Sequence, residues 1–228
     1  MVSTRIMARC GAGAPPGTSE VGCGGLASNN KRRHSGRIRP EHGFPVWLAT
    51  ANIMRGYMLA DRGEMGAGLV LGRKGWSDWT ATGSRYHGTY YLALLAQTCE
   101  RADQIDEALD LVNTALEMTE RLGERWFEAE LLRVKGEWLS VHRRDAQQQA
   151  EDCFHRAPTV AVDQRARLWE LHAAISLARH WLNQGKRTDA LDLLAPLYGR
   201  FTEGFDSRDL MEPKALASWA GRIGLATS

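Results

Sequence analysis

Small residues recur along this chain at a fixed interval. Gly56, Gly68 and Gly75 are followed forty residues later by Ala96, Ala108 and Ala115. The same phase returns at Gly136, Ala150 and Ala157, with two residues inserted, and again at Ala178 and Ala190. The starts at 56, 96, 136 and 178 give spacings of 40, 40 and 42 residues. A fixed period of roughly 20–50 residues marks a repeat array. Each unit here spans two stretches of helical periodicity, so the pattern predicts an all-α fold. Its architecture is an α-solenoid of about four helical hairpins plus a C-terminal capping helix, each hairpin burying its apolar face against its neighbours.

The pairs of helices can be followed along the chain. In the first, Trp47, Leu48, Ala51, Met54, Arg55 and Leu59 recur at helical spacing from residue 44 onward. That helix stops near 61–63, where Gly63 supplies a C-cap. Its partner, 64–81, holds Gly66, Gly68, Gly72 and Gly75. An interior glycine costs about 1 kcal/mol against alanine, so this hairpin is expected to be the weakest, with close packing accounting for some of its glycines. The second hairpin pairs 89–101 (Tyr91, Leu92, Leu94, Leu95, Cys99) with 105–122 (Ala108, Leu109, Leu111, Val112, Ala115, Leu116, Met118). The third pairs 126–142 with 146–162, and Pro158 is expected to kink or end the latter. The fourth pairs 167–184 with 186–198, turning at Gly185 and capped by Gly199. A last helix is expected at 208–220 after the loop 201–206. Asp206 or Ser207 would be its N-cap, and Pro213 would bend it or delay its start.

Charge separates the head of the chain from the repeats. Residues 1–44 hold seven Lys/Arg and two Glu, while the net charge of the 228 residues is +2, so the remainder carries −3. Residues 1–40, rich in Gly, Pro, Ser and Asn, read as a disordered basic N-terminal segment with too little apolar surface to offset ordering. The repeat domain follows over 41–220, and 221–228 is a C-terminal tail. Lys31, Arg32 and Arg33, with Arg37 and Arg39, read either as a phosphate-binding arm or as a solvated tail. Because the basic excess belongs to the head alone, it is weak evidence for nucleic-acid binding, which would run through residues 31–39. Cys10, Cys23, Cys99 and Cys153 show no metal-ligand spacing, and the last two fall inside helical patterns. That fits a reducing compartment. With neither an apolar run of membrane-spanning length nor a signal-peptide core, a cytoplasmic location is expected, with no membrane partner.

The order Ala150, Phe154, Ala157 matches the A-x3-F part of the tetratricopeptide pattern, with Leu132 and Leu139 at the matching sites of the preceding helix. The period exceeds the standard ~34 residues, which lengthens each helix by about a turn or less. Residues 41–64, 90–139 and 168–217 resemble a bacterial tetratricopeptide-like region. This region lies at the C-terminus of large signalling ATPases, behind a cyclase-like or DNA-binding domain and a nucleotide-binding ATPase module. The stretches GERWFEAELLRVKGE (123–137) and LYGRFTEGFDSRDL (197–210) carry the resemblance most specifically. It implies a sensor or scaffold arm with a protein or peptide partner, such as an ATPase or cyclase domain. No phosphate-binding GxxxxGK[ST] loop is present. The chain is expected to be a non-enzyme, with no catalytic, metal or cofactor-binding residues.

His172 and His180, eight apart, share a helix face but lack the cysteine or carboxylate that would complete a zinc set. Glu128 and Glu130, two apart, point away from each other and make no acid/base pair. Asp206 and Asp209 are read as capping residues. Trp76, Trp79, Trp126, Trp138, Trp169 and Trp181 read either as an aromatic groove or as packing between repeats. Arg125, Arg133, Arg165, Arg167 and Arg179 are the candidate partner-binding face, suited to an acidic partner.

Overall fold

A computed structural model describes residues 45–200, except for the side chain of Tyr198. Among these residues there are eight α-helices, one 3-10 turn and no strand. They are α1 (Pro45–Asp61), α2 (Met65–Ala81), α3 (Gly88–Arg101), α4 (Ile105–Leu122), α5 (Glu128–His142), α6 (Gln147–Asp163), α7 (Arg167–Asn183) and α8 (Arg187–Tyr198). They pair in order into four hairpins of a tetratricopeptide-like α-solenoid. The second helix of each hairpin packs on the first helix of the next. The expected helix at 208–220, with its caps and Pro213, and the segments 1–40 and 221–228 lie outside the described residues.

Turn chemistry sets the hairpins. After α1, Gly63 takes φ +95°, its N–H donates to the Ala60 carbonyl, and the Glu64 N–H reaches back to Leu59 at 2.9 Å. This is the two-bond helix stop that a left-handed residue permits. Asp103 (φ 60°) and Gly185 (φ +80°) repeat it after α3 and α7. The third hairpin differs: its turn is the 3-10 segment Arg144–Ala146, with Arg143 extended at φ −130°. The two inserted residues of the third repeat are absorbed there, so the buried small positions on either side keep their register.

Those small positions are where the helices touch. A Cβ placed on Gly56 would lie 2.7 Å from the Gly68 carbonyl oxygen, and one on Gly68 would lie 2.6 Å from that of Gly56. A Cβ on Gly75 would lie 2.7 Å from the Ile53 nitrogen. The backbones of α1 and α2 are therefore in direct contact, which only glycine permits. Gly72 is tight against Leu95, but Gly66 meets nothing within 4 Å. Packing thus accounts for four of the five glycines in this hairpin's helices and leaves Gly66 without a reason. Ala96, Ala108, Ala115, Ala150, Ala157 and Ala178 are fully buried in the later hairpins.

One expectation needs correction, and two are met only in part. The stripe Trp47, Leu48, Ala51, Met54, Arg55, Leu59 is not the core face of α1. Trp47 and Leu48 are 61% and 65% exposed, and the buried face is Ala49, Thr50, Ile53, Gly56, Tyr57 and Ala60. α1 is apolar on both sides, and the close approach at Gly56 selects the small-residue side. Pro158 does not end its helix, since α6 runs on to Asp163. Ala157 and Ala161, both fully buried, hold the chain on either side of it. Gly199 stands at the C-cap of α8 but is right-handed (φ −64°), so its glycine freedom is unused.

Candidate functional site: an arginine and aromatic edge at the turns

The turns that lead from one hairpin to the next, with the first turn of α7, carry a second repeat. Arg85-Tyr86-His87, Arg125-Trp126-Phe127 and Arg167-Leu168-Trp169 stand at spacings of 40 and 42 residues, the same register as the core. In each triplet the arginine is exposed. The second residue is a large apolar side chain left in solvent: Tyr86 is 65% exposed, Trp126 37% and Leu168 37%. The third turns inward, with Phe127 fully buried and His87 and Trp169 half-buried. The inward rings join neighbouring hairpins. His87 meets Trp126 at 5.1 Å, Tyr90 meets Phe127 at 5.3 Å, and Phe127 stands edge-on to Trp169 at 5.4 Å. Aromatic pairs at such distances prefer edge-to-face geometry and add about 0.5–1.5 kcal/mol beyond burial.

Two polar latches hold these turns in line. Glu124 accepts the His87 N–H at 2.7 Å, and its other oxygen accepts the Thr89 hydroxyl at 3.2 Å. His87 sits in a left-handed conformation (φ 59°) as N-cap of α3 and gives no side-chain cap. A carboxylate from the next turn therefore satisfies the helix N-terminus, as charge and unpaired amides favour. One turn further on, Gln164 donates its side-chain N–H to the Arg125 carbonyl at 2.7 Å. Arg165 follows it, exposed and left-handed at φ 54°.

The five candidate arginines divide between two places. Arg125, Arg165 and Arg167 lie on this edge. Arg125 stays 61% exposed at its side chain while pairing with the buried Glu128 at 2.9 Å. Arg133 and Arg179 lie on α5 and α7, among the first helices. The Arg133 side chain is 5% exposed and forms a two-pronged pair with Glu130 at 2.6 and 2.7 Å. It also meets Glu137 at 2.6 Å, and Ser176 on α7 donates to Glu137 at 2.6 Å. Burial works against the Arg133 charge, but the two carboxylates override it and raise its pKa. Burial likewise works against the Glu137 charge, and Arg133 and the Ser176 hydroxyl reverse this, leaving its pKa below the usual carboxylate value. Burial lowers the pKa of half-buried Arg179, beside the same Glu137. A matching cluster ties α1 to α3, where Arg101 lies 4.7 Å over the Tyr57 ring and 3.6 Å from Asp61.

The tryptophans divide between the core and the surface. Trp79 and Trp138 are core, and Trp76 stacks on Trp79 at 5.0 Å. Trp169 and Trp181 are half-buried, and Trp126 opens onto the turn edge. Glu128 and Glu130 engage different arginines. His172 packs on Trp169 at 5.7 Å, and His180 bonds Gln184 at 2.8 Å with its pKa lowered by burial. Burial pushes the Cys99 thiol up to about 12 and raises that of Cys153, so both are poor nucleophiles at neutral pH. Among the described residues no group of three His, Cys, Asp or Glu could hold a metal ion, and no helix is long and apolar enough to cross a membrane.

Arg85, Tyr86 and Leu168 were not among the sequence-derived candidates, although the register that marks the core also marks them. No family model and no curated protein matches this sequence. Among solved structures, the chain is similar to a kinesin light chain from Podosopora anserina with nearly identical TPR-like repeats. That structure aligns with a TM-score of 0.62 and 13% identity, covering 80% of this chain and 89% of the other. A point-substituted form of the same protein aligns with a TM-score of 0.63 and 13% identity, covering 79% of this chain and 87% of the other. At that identity the likeness establishes the shared fold.

Proposed function

We propose that this chain is a non-catalytic protein-interaction module that holds an acidic, apolar-bearing segment of a partner along its turn edge. The observation that carries the reading is the repeat of an exposed arginine followed by an exposed large apolar side chain at Arg85-Tyr86, Arg125-Trp126 and Arg167-Leu168. A peptide laid across the turns would meet the same pair of chemistries at each hairpin, with Arg165 adding a further charge. The buried pair-forming arginine, Arg133, would support this edge from within rather than touch the partner. Half-buried Arg179 belongs to the same inner cluster.

The experiment is a titration of the full chain with labelled peptides alternating Asp/Glu with aromatic residues, at two salt concentrations. Binding should weaken with salt. Each exposed Arg→Ala change should weaken it about two- to fivefold, and the triple change at Arg85, Arg125 and Arg167 should remove it. Binding that ignores the triple change would sink the reading. A finer proposal rests on the resemblance at 123–137 and 197–210. In a longer protein the array would be the C-terminal arm of a signalling ATPase and would bias the output of its ATPase or cyclase domain. Deleting the array from such a protein should shift its ATPase rate, and an unchanged rate would count against this role.

A further inference from the structure

The outward stripe on α1 has counterparts in every later hairpin. In the core register, Ala51 corresponds to Tyr91, Leu131 and Ala173, which are 7%, 0% and 1% exposed. Met58 corresponds to Thr98, Trp138 and His180, which are 1%, 7% and 9% exposed. Leu48 corresponds to Gly88 and Glu128, both buried, and to Glu170. In α3 and α7 several of these positions receive the second helix of the preceding hairpin, and α4 packs on α5 in the same way. Trp79 of α2 lies against Gly88 and 6.0 Å from the Tyr91 ring, and Ala173 of α7 packs with Cys153 and Ala157 of α6. On α1 the same positions stand open: Leu48 is 65% exposed and Met58 45%, and Ala51 is exposed between them.

Exposed Trp47, Leu48, Ala51 and Met58 span three turns with Arg55 among them, the kind of surface that marks an interaction site. Its occupant can be deduced by continuing the register backwards. A covering helix equivalent to α2 would fall on residues 25–41, GLASNNKRRHSGRIRPE. That stretch offers only Leu26 and Ile38 as large apolar residues, includes Pro40, and holds five Lys/Arg. It supplies no apolar stripe at helical spacing. Of the two charged residues of α1, Arg55 lies within this face and Asp61 beyond it, so the occupant is chosen mainly by shape and apolar area.

We propose that Trp47, Leu48, Ala51 and Met58 of α1 form a docking face for the second helix of a tetratricopeptide-like hairpin supplied by another polypeptide. The partner helix is amphipathic, with small residues at the centre of its apolar face, as in α4 and α6. It extends the stack by one layer, in the way that α2 covers α3. This proposal is independent of the turn edge, which lies on other residues and selects an acidic partner.

The test uses the full chain and a fluorescently labelled peptide of residues 105–122, the α4 sequence that covers α5 in this fold. A scrambled peptide of the same composition serves as control. Anisotropy should rise saturably for the α4 peptide and not for the scrambled one. Ala51→Glu and, separately, Leu48→Glu should each weaken binding at least tenfold while leaving the circular-dichroism melt in place, since both sites are exposed. Absence of saturable binding, or undiminished binding by the two variants, overturns the proposal. So does a concentration-dependent dimer in sedimentation that Ala51→Glu dissociates, because the face would then belong to a second copy of this chain.

Discussion

Hairpins one and three hold the same register position in opposite ways. At the centre of the second helix, Gly72 of the first hairpin corresponds to Phe154 of the third. Opposite them stand Gly56 and Gly136. In the first hairpin the two backbones close until atoms of α1 and α2 touch, with added Cβ atoms meeting neighbours at 2.6–2.9 Å. In the third, the space belongs to the Phe154 ring, which lies 2.9 Å from where a Gly136 Cβ would sit. Hairpins two and four take a middle course, with Val112 and Leu194 buried at the same position opposite Ala96 and Ala178. The repeat therefore keeps a place, not a volume. Helix separation is the adjustable quantity, and the side chains at two positions set it. The third hairpin adds an ion cluster around Arg133 that is more deeply buried than its counterpart in the first, where Asp61 and Tyr57 meet Arg101 of α3.

The largest effect should come from emptying the third hairpin's centre. Phe154→Ala leaves a cavity that the backbones cannot close as glycines do in the first hairpin. It should cost about 3–5 kcal/mol, read as a lower urea midpoint. Next, Gly68→Ala forces apart helices already in backbone contact and should cost about 1–3 kcal/mol in the same assay. A small loss there would mean that the first hairpin can widen like the third. The ion cluster gives a third contrast. The folded Glu137 pKa lies below its ordinary value, so its contribution is complete above the unfolded value of about 4.3 and is lost as pH falls through the folded one. Acid between about pH 5 and 3 should loosen the third hairpin before the first, and Glu137→Gln should flatten that dependence in urea melts run across this range. The smallest effect runs the other way. Gly66→Ala meets nothing and should raise stability by up to about 1 kcal/mol, seen as a slightly higher melting temperature.

The sequence was most legible where spacing alone decides. Hairpin order, the turns at Gly63 and Gly185 and the buried small residues all follow from one period, because each repeat must present the same face to its neighbour. It was less legible where two faces of a helix are alike. Trp47 and Leu48 outweigh Ala49 and Ile53 in apolar size, yet backbone approach at Gly56 decided which side went inward. Arg133 looks in sequence like any charge on a helix, and only the fold places Glu130, Glu137 and Ser176 around it. The edge at Arg85, Tyr86 and Leu168 lay within reach of the same period, but turns are read for breakers rather than for repeats. The bond from Glu124 to the His87 amide has no local signature, since its partners stand 37 residues apart.

That last bond has a consequence for how the chain opens and closes. The amides at the start of α3 are held by a carboxylate that belongs to the approach to the third hairpin, so their protection from hydrogen exchange depends on a neighbour's integrity. When the third hairpin opens, the His87 and Thr89 amides should become labile although their own helix is intact. They would then exchange with deuterium at the third hairpin's rate rather than the second's. In an array where each layer touches only the next, such a borrowed cap makes adjacent layers release together. The unit of cooperative opening is then larger than the unit of repetition.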